Sequence, residues 1–188
     1  MTAPDNYYSQ KSLKEGDYLV FGSQLSIYSV HIPTGQTAWQ SNMQDGSPFL
    51  GSNNGYVYRG IQFNWQSGLN SSGKVIRADV ATGQWETVFS LTETNGYAPN
   101  FDSFGFGELP NGDEVVLWKN RTYHDSRPDI TGIFAYNLTA DSLMWRNSEF
   151  TDYSSTQPVQ VEGDRAYAIL ATHMIALDLM TGQTVWYQ

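Results

Sequence analysis

The sequence predicts an all-β chain of about four repeated four-stranded antiparallel units, a β-propeller. Three observations carry this: a recurring turn motif at blade-sized intervals, strands rich in aromatic and β-branched residues, and glycine-marked turns between them. The clearest repeats are GDYLVFGSQLSIYSVHIPTGQTAW, ending at Trp39, and GDRAYAILATHMIALDLMTGQTVW, ending at Trp186, which match almost position for position. Equivalent turn residues Thr34, Thr82, Ala140 and Thr181 lie roughly 40 to 60 residues apart, the period of a four-stranded blade with loops of varying length.

The two middle repeats are degenerate. The second keeps the Thr82-Gly83 turn but carries Thr87 where the others place tryptophan. The third replaces Thr-Gly with Ala140-Asp141 and keeps Trp145 in register. The blades are expected over approximately 10–40, 45–90, 97–147 and 156–188 of one domain spanning 1–188. Pro48, Pro99 and Pro158 mark the approach to the innermost strand of each later blade.

Each part of the pattern has a physical reason. YLVFG, YVYRG, EVVLW and RAYAIL suit strands sandwiched between neighbours, and the Glu-Gly, Asn-Gly or Gly-Asp turn before each suits a tight reversal. After the third strand, Asp79, Asn137 and Asp178 are placed to accept hydrogen bonds from backbone N–H groups, while Gly35, Gly83 and Gly182 tolerate positive φ. His31 holds the same position in the first blade. The tryptophan that follows is expected to pack between blades.

Composition bounds the function. The 188 residues include 12 Tyr, 9 Phe, 6 Trp and 17 Gly, which favours strands and turns over helices. The net charge of −9, without a Lys/Arg cluster, repels a phosphate backbone and argues against nucleic acid as a partner. The absence of cysteine excludes disulfides and thiolate chemistry. No apolar run is long enough for a transmembrane helix, and MTAPDNYYSQKSLKEGD lacks the apolar centre of a signal peptide. Met1 suits either a native start or a mature segment whose leader has been removed.

ALDLMTGQTVW and VHIPTGQTAW resemble the docking signature of the PQQ-like propeller repeats, the family of quinoprotein alcohol dehydrogenase-like and BamB-like β-propellers. The resemblance covers nearly the whole chain. It implies blades of a ring that usually has seven or eight, so an incomplete ring is favoured over a small closed ring of four. Such a half or fragment would be completed by missing blades or by a second copy as a homodimer, because open blade faces and strand edges are association-prone. BamB-like relatives imply an extracytoplasmic setting, periplasmic or secreted, rather than a cytoplasmic one.

The family's dehydrogenases hold PQQ with calcium, a catalytic Asp, a stacking Trp and typically a vicinal disulfide; a chain without cysteine argues against that cofactor. The family name licenses no activity. No catalytic set emerges from the residues. His31, His124 and His173 are too dispersed for a short metal motif. His124 beside Asp125 lacks a third group to make an acid/base site. Asp125 and Asp129, with Asp102, offer only a weak calcium option, lacking the alternation of an EF-hand loop. DSFGFGELPNGD has no following helix to present N–H groups to phosphate, so Gly105 and Gly107 are read as relieving crowding near the axis.

A recognition surface is the better expectation. In a meandering blade, the loop between the second and third strands opens on the same face as the blade-to-blade connection. That loop is minimal in blades 1 and 4, but long in blades 2 and 3: QFNWQSGLNSSGK and KNRTYHDSRPDITG. These insertions offer Trp65, Asn70, Arg121, Tyr123, His124, Asp125, Arg127 and Asp129, and the blade-to-blade loops add Tyr97 and Tyr153. Aromatic planes mixed with donors and carboxylates suit a protein partner or a polar, polymeric ligand. The rival readings are solvated loops, a carbohydrate-binding rim, or part of an enzyme whose active residues lie outside this chain.

Overall fold

The computed structural model describes residues 12–22, 26–42, 50–61, 72–92, 101–122, 130–150, 158–170 and 173–188. They form sixteen strands in four four-stranded antiparallel sheets, a β-propeller of about four blades. Blade 1 comprises β1 (Ser12–Glu15), β2 (Tyr18–Gly22), β3 (Ser26–His31) and β4 (Gln36–Asn42). Blade 2 comprises β5 (Leu50–Asn53), β6 (Tyr56–Ile61), β7 (Ser72–Asp79) and β8 (Trp85–Thr92). Blade 3 comprises β9 (Phe101–Glu108), β10 (Glu114–Thr122), β11 (Ile130–Asn137) and β12 (Ser142–Asn147). Blade 4 comprises β13 (Gln160–Glu162), β14 (Arg165–Ile169), β15 (Met174–Asp178) and β16 (Thr184–Tyr187). Strand order follows sequence order in every blade.

The first strands are the inner ones: β5 packs beside β1, β9 beside β5, and β13 beside β9. Glycine permits the closest of these approaches. A Cβ on Gly105 would stand 1.9 Å from the Val159 carbonyl oxygen, and one on Gly107 would stand 2.5 Å from the Val161 side chain. The crowding expected at Gly105 and Gly107 is therefore the arrival of the next inner strand.

The apolar core is divided by junction rather than gathered in one centre. Val20 and Ile27 of blade 1 meet Val57, Ala78 and Val80 of blade 2. Tyr58, Val75 and Phe89 of blade 2 meet Phe101, Phe104, Val116, Trp118, Phe134 and Tyr136 of blade 3. Leu117, Ile133 and Trp145 of blade 3 meet Val159, Ala168, Ile175 and Leu179 of blade 4. Each blade thus buries one face on each neighbour, which is how a repeat sheet too thin to hold its own core becomes stable. Among the described residues no such cluster joins blade 4 to blade 1.

The turns after the third strands behave as the residues dictate. Asp79 Oδ1 accepts from the N–H groups of Ala81 and Thr82 at 3.0 and 2.8 Å, Asn137 Oδ1 from Ala140 at 2.7 Å, and Asp178 Oδ1 from Thr181 at 2.9 Å. His31 Nδ1 instead hydrogen-bonds the Thr34 hydroxyl at 2.9 Å. Four residues after each stands the left-handed residue: Gly35, Gly83 and Gly182 with φ of 66, 71 and 70°, and Asp141 with φ 52°. Asparagine and aspartate are the side chains that best tolerate this region. Asn137 is buried in its turn.

A bulge recurs where the third strand pairs with the fourth. It falls between Ser29 and Val30, Ala135 and Tyr136, and Ala176 and Leu177, and it aims Trp39, Trp145 and Trp186 at the face toward the next blade. In blade 2 the bulge falls between Val75 and Ile76, two residues further from the turn. The counterpart of tryptophan there is Phe89, opposite Val75, rather than Thr87. The blade keeps its aromatic, displaced by one strand repeat.

Candidate binding surface

Antiparallel meander topology sends the chain up and down alternately, so each blade has two distinct ends. One end carries the turns between first and second strands and between third and fourth. The other carries the connections between second and third strands and the passages to the next blade. On this second end, blade 1 crosses with 23–25 alone and blade 4 with a tight return in which the Leu170 N–H donates to the His173 carbonyl at 2.8 Å. Blades 2 and 3 cross with 62–71 and 123–129, and these two blades are neighbours in the ring.

Of the residues expected to form the surface, Arg121 is placed: it lies near the end of β10, paired with Thr131 of β11, at the root of the blade 3 crossing. Trp65, Asn70, Tyr97, Tyr123, His124, Asp125, Arg127, Asp129 and Tyr153 lie outside the described residues. Their anchor points are described, and both long crossings leave from the same end as the passages 43–49, 93–100 and 151–157.

Beneath that end the structure adds two residues that the sequence reading passed over. Arg59 on β6 and Lys119 on β10 are each 1% exposed. Lys119 Nζ donates to the Ile169 carbonyl of blade 4 at 2.8 Å, so its charge ties blade 3 to blade 4. Burial pushes the Arg59 guanidinium below its ordinary pKa. Both belong to the enlarged blades, in the halves of their strands that lead into the long crossings. The signal was faint: a lone cation in YVYRG or VVLWKN reads as the polar side of an alternating strand, and only the burial of β6 and β10 on both faces reveals otherwise.

The opposite, turn-bearing end is acidic and built by hydrogen bonding. The Thr82 backbone N–H, with the Thr82 hydroxyl and the Ala81 N–H, holds the Asp79 carboxyl below the usual carboxylate range. The Thr181 hydroxyl and N–H do the same for Asp178, helped by Arg165, whose Nη1 stands 3.2 Å from it. A depressed folded value contributes stability that is present above the unfolded pKa and lost as pH falls through the folded one. Asp79→Ala is therefore expected to lower stability at pH 7 by about 1 kcal/mol, one hydrogen-bonded turn's worth. The gap from the unaltered chain should narrow toward pH 3, read as urea midpoints at the two pH values.

Tyr136 is perturbed in the other direction. Burial, then the Asp141 carboxylate at 2.5 Å, pushes its phenol up to about 12. The hydroxyl thus remains a donor to Asp141 throughout the physiological range. Among the described residues no group of three or more His, Asp or Glu is disposed to hold a metal ion, and no helix is long and apolar enough to cross a membrane.

No protein-family model matches the chain, and no curated protein matches it. Solved structures do. Sqt1 from Saccharomyces cerevisiae is 14% identical with a TM-score of 0.61, over 95% of this chain and 47% of that one. Quinohemoprotein alcohol dehydrogenase from Comamonas testosteroni is 13% identical with a TM-score of 0.59, over 94% of this chain and 34% of that one. BamB from Moraxella catarrhalis is 13% identical with a TM-score of 0.44, over 92% of this chain and 61% of that one. The chain thus spans less than two thirds of the length of each, and what it shares with Sqt1 and the dehydrogenase is the fold of a β-propeller.

Proposed function

We propose that the chain is a non-catalytic propeller module that binds a protein or polymeric ligand across the loop-bearing end of blades 2 and 3. The observation that carries this reading is the pair of long crossings, 62–71 and 123–129, on adjacent blades and at one end, against minimal crossings in the outer two. Length is added to the crossings of these two blades and not to those of the outer two, and loops on a rigid scaffold are where recognition residues gather. Trp65, Arg121, Tyr123, His124, Asp125, Arg127 and Asp129 supply the contact groups, with Tyr97 and Tyr153 at the rim. The resemblance of the turns to BamB-like repeats supports an extracytoplasmic setting.

The test shortens both crossings to the length of 23–25 and compares the altered and unaltered chains, immobilised, against a whole-cell extract and a panel of soluble polysaccharides. Species retained by the unaltered chain and lost, at least about tenfold, by the shortened one are expected; a tenfold loss is what one modest contact residue contributes. Identical retention by the two chains would overturn the reading. Retention of polysaccharide rather than protein would identify the ligand as carbohydrate.

A further inference from the structure

The structure assigns Trp186 of blade 4 and the Ile32–Gly35 turn of blade 1 as two halves of one interblade lock, closed between two copies of this chain. The pattern is set by the junctions within the chain. Trp39 of blade 1 donates its indole N–H to the Val80 carbonyl of blade 2 at 2.8 Å, and its ring lies where a Cβ on Gly83 would be, 2.6 Å away. Trp145 of blade 3 repeats this on blade 4, donating to the Leu179 carbonyl at 2.8 Å with its ring 2.4 Å from a Cβ on Gly182. The middle junction varies both partners together: Phe89 replaces the tryptophan and stacks on Tyr136 at 4.1 Å, and the receiving position is Asp141 instead of glycine.

Blade 4 carries the donor without its receiver. Trp186 sits in the same bulge position opposite Ala176, yet is 40% exposed, against 8% for Trp145. Blade 1 carries the receiver without its donor. Ile32, the counterpart of Val80 and Leu179, is 45% exposed where those are 5% and 0%, and nothing lies within 4 Å of a Cβ on Gly35. Around the two halves lie matching apolar faces: Ile169 and Met174 beside Trp186, and Leu19, Phe21 and Tyr28 beside the blade 1 turn. A head-to-tail contact of this kind satisfies both faces only when the rotation closes. This chain carries both unfilled halves of one lock, Trp186 and the Ile32–Gly35 turn, so a second copy offers each half its complement and is the occupant.

The experiment measures the mass of the 188-residue chain by sedimentation velocity and light scattering across its soluble concentration range. A two-chain particle is expected. Trp186→Ala removes the donor, and Gly35→Asp blocks the receiver with a residue that Asp141 shows the backbone accepts. Each alone should weaken association at least about thirtyfold, the loss of one central aromatic anchor. Mixing the two variants in equal amounts should restore pairing, because one of the two interfaces is then intact.

Circular dichroism spectra matching that of the unaltered chain would show that both variants fold. A chain that stays single at every concentration, a pair indifferent to Trp186→Ala, or open assemblies that lengthen with concentration would each overturn the assignment. These readouts involve no ligand, so they stand or fall apart from the binding reading.

Discussion

Gly105→Ala is expected to be among the most damaging single-methyl changes in the chain, costing about 3 kcal/mol or more, the upper range of overpacking effects. The added Cβ would meet the Val159 carbonyl oxygen at 1.9 Å. That neighbour is backbone leading into β13, so no rotamer change relieves the contact. Either β9 or β13 must withdraw, and withdrawal opens the cluster of Val115, Leu117, Ile133, Val159 and Leu179 between blades 3 and 4. Equilibrium urea unfolding should show the lowered midpoint. Limited proteolysis should show cleavage in 158–188 before the rest. Gly55→Ala makes the contrast. Its Cβ points into open space, so only the left-handed φ of 80° opposes it, at about 1 kcal/mol.

Trp145→Ala is expected to cost about 3 to 5 kcal/mol, the range for truncating a buried large aromatic. The side chain is 8% exposed, packs over Gly182 and satisfies the Leu179 carbonyl. Removing it leaves a void and an unpaired carbonyl at the same point of one junction. Trp145→Phe should recover most of the packing but not the hydrogen bond, so it should fall short of full stability by about 1 kcal/mol. Thermal melts of the two variants beside the unaltered chain check the order. If Trp145→Ala unfolded at the same midpoint as the parent, the lock would not be what couples blades 3 and 4.

These two sites also mark how far the sequence could be read. The turn chemistry was legible because it is local. Asp79, Asn137 and Asp178 bond N–H groups two or three residues ahead, and a glycine four residues on implies positive φ whatever surrounds it. The placement of Asp141 at a glycine position followed from the same register. Phe89 was not legible, because where a bulge falls along a ladder depends on the partner strand, and counting from Gly83 leads to Thr87. Arg59 and Lys119 were missed for a similar reason. Whether a strand is covered on one face or both is decided by neighbouring blades, which leave no periodic trace in VVLWKN. The enlarged crossings were visible as length alone, and Trp65 through Asp129 within them lie outside the described residues, Arg121 at the foot of β10 excepted.

The two ends of each strand divide the labour of the molecule. Locks, capped turns and positive-φ residues gather at one end, and the crossings of blades 2 and 3 at the other, with the length of the strands between them. The tryptophan locks and capped turns therefore lie a strand's length from the points where those crossings leave, while Lys119 fastens blade 3 to blade 4 near the crossing end. A scaffold organised in this way offers engineers two grafting points, 62–71 and 123–129, set apart from the tryptophan locks of the frame.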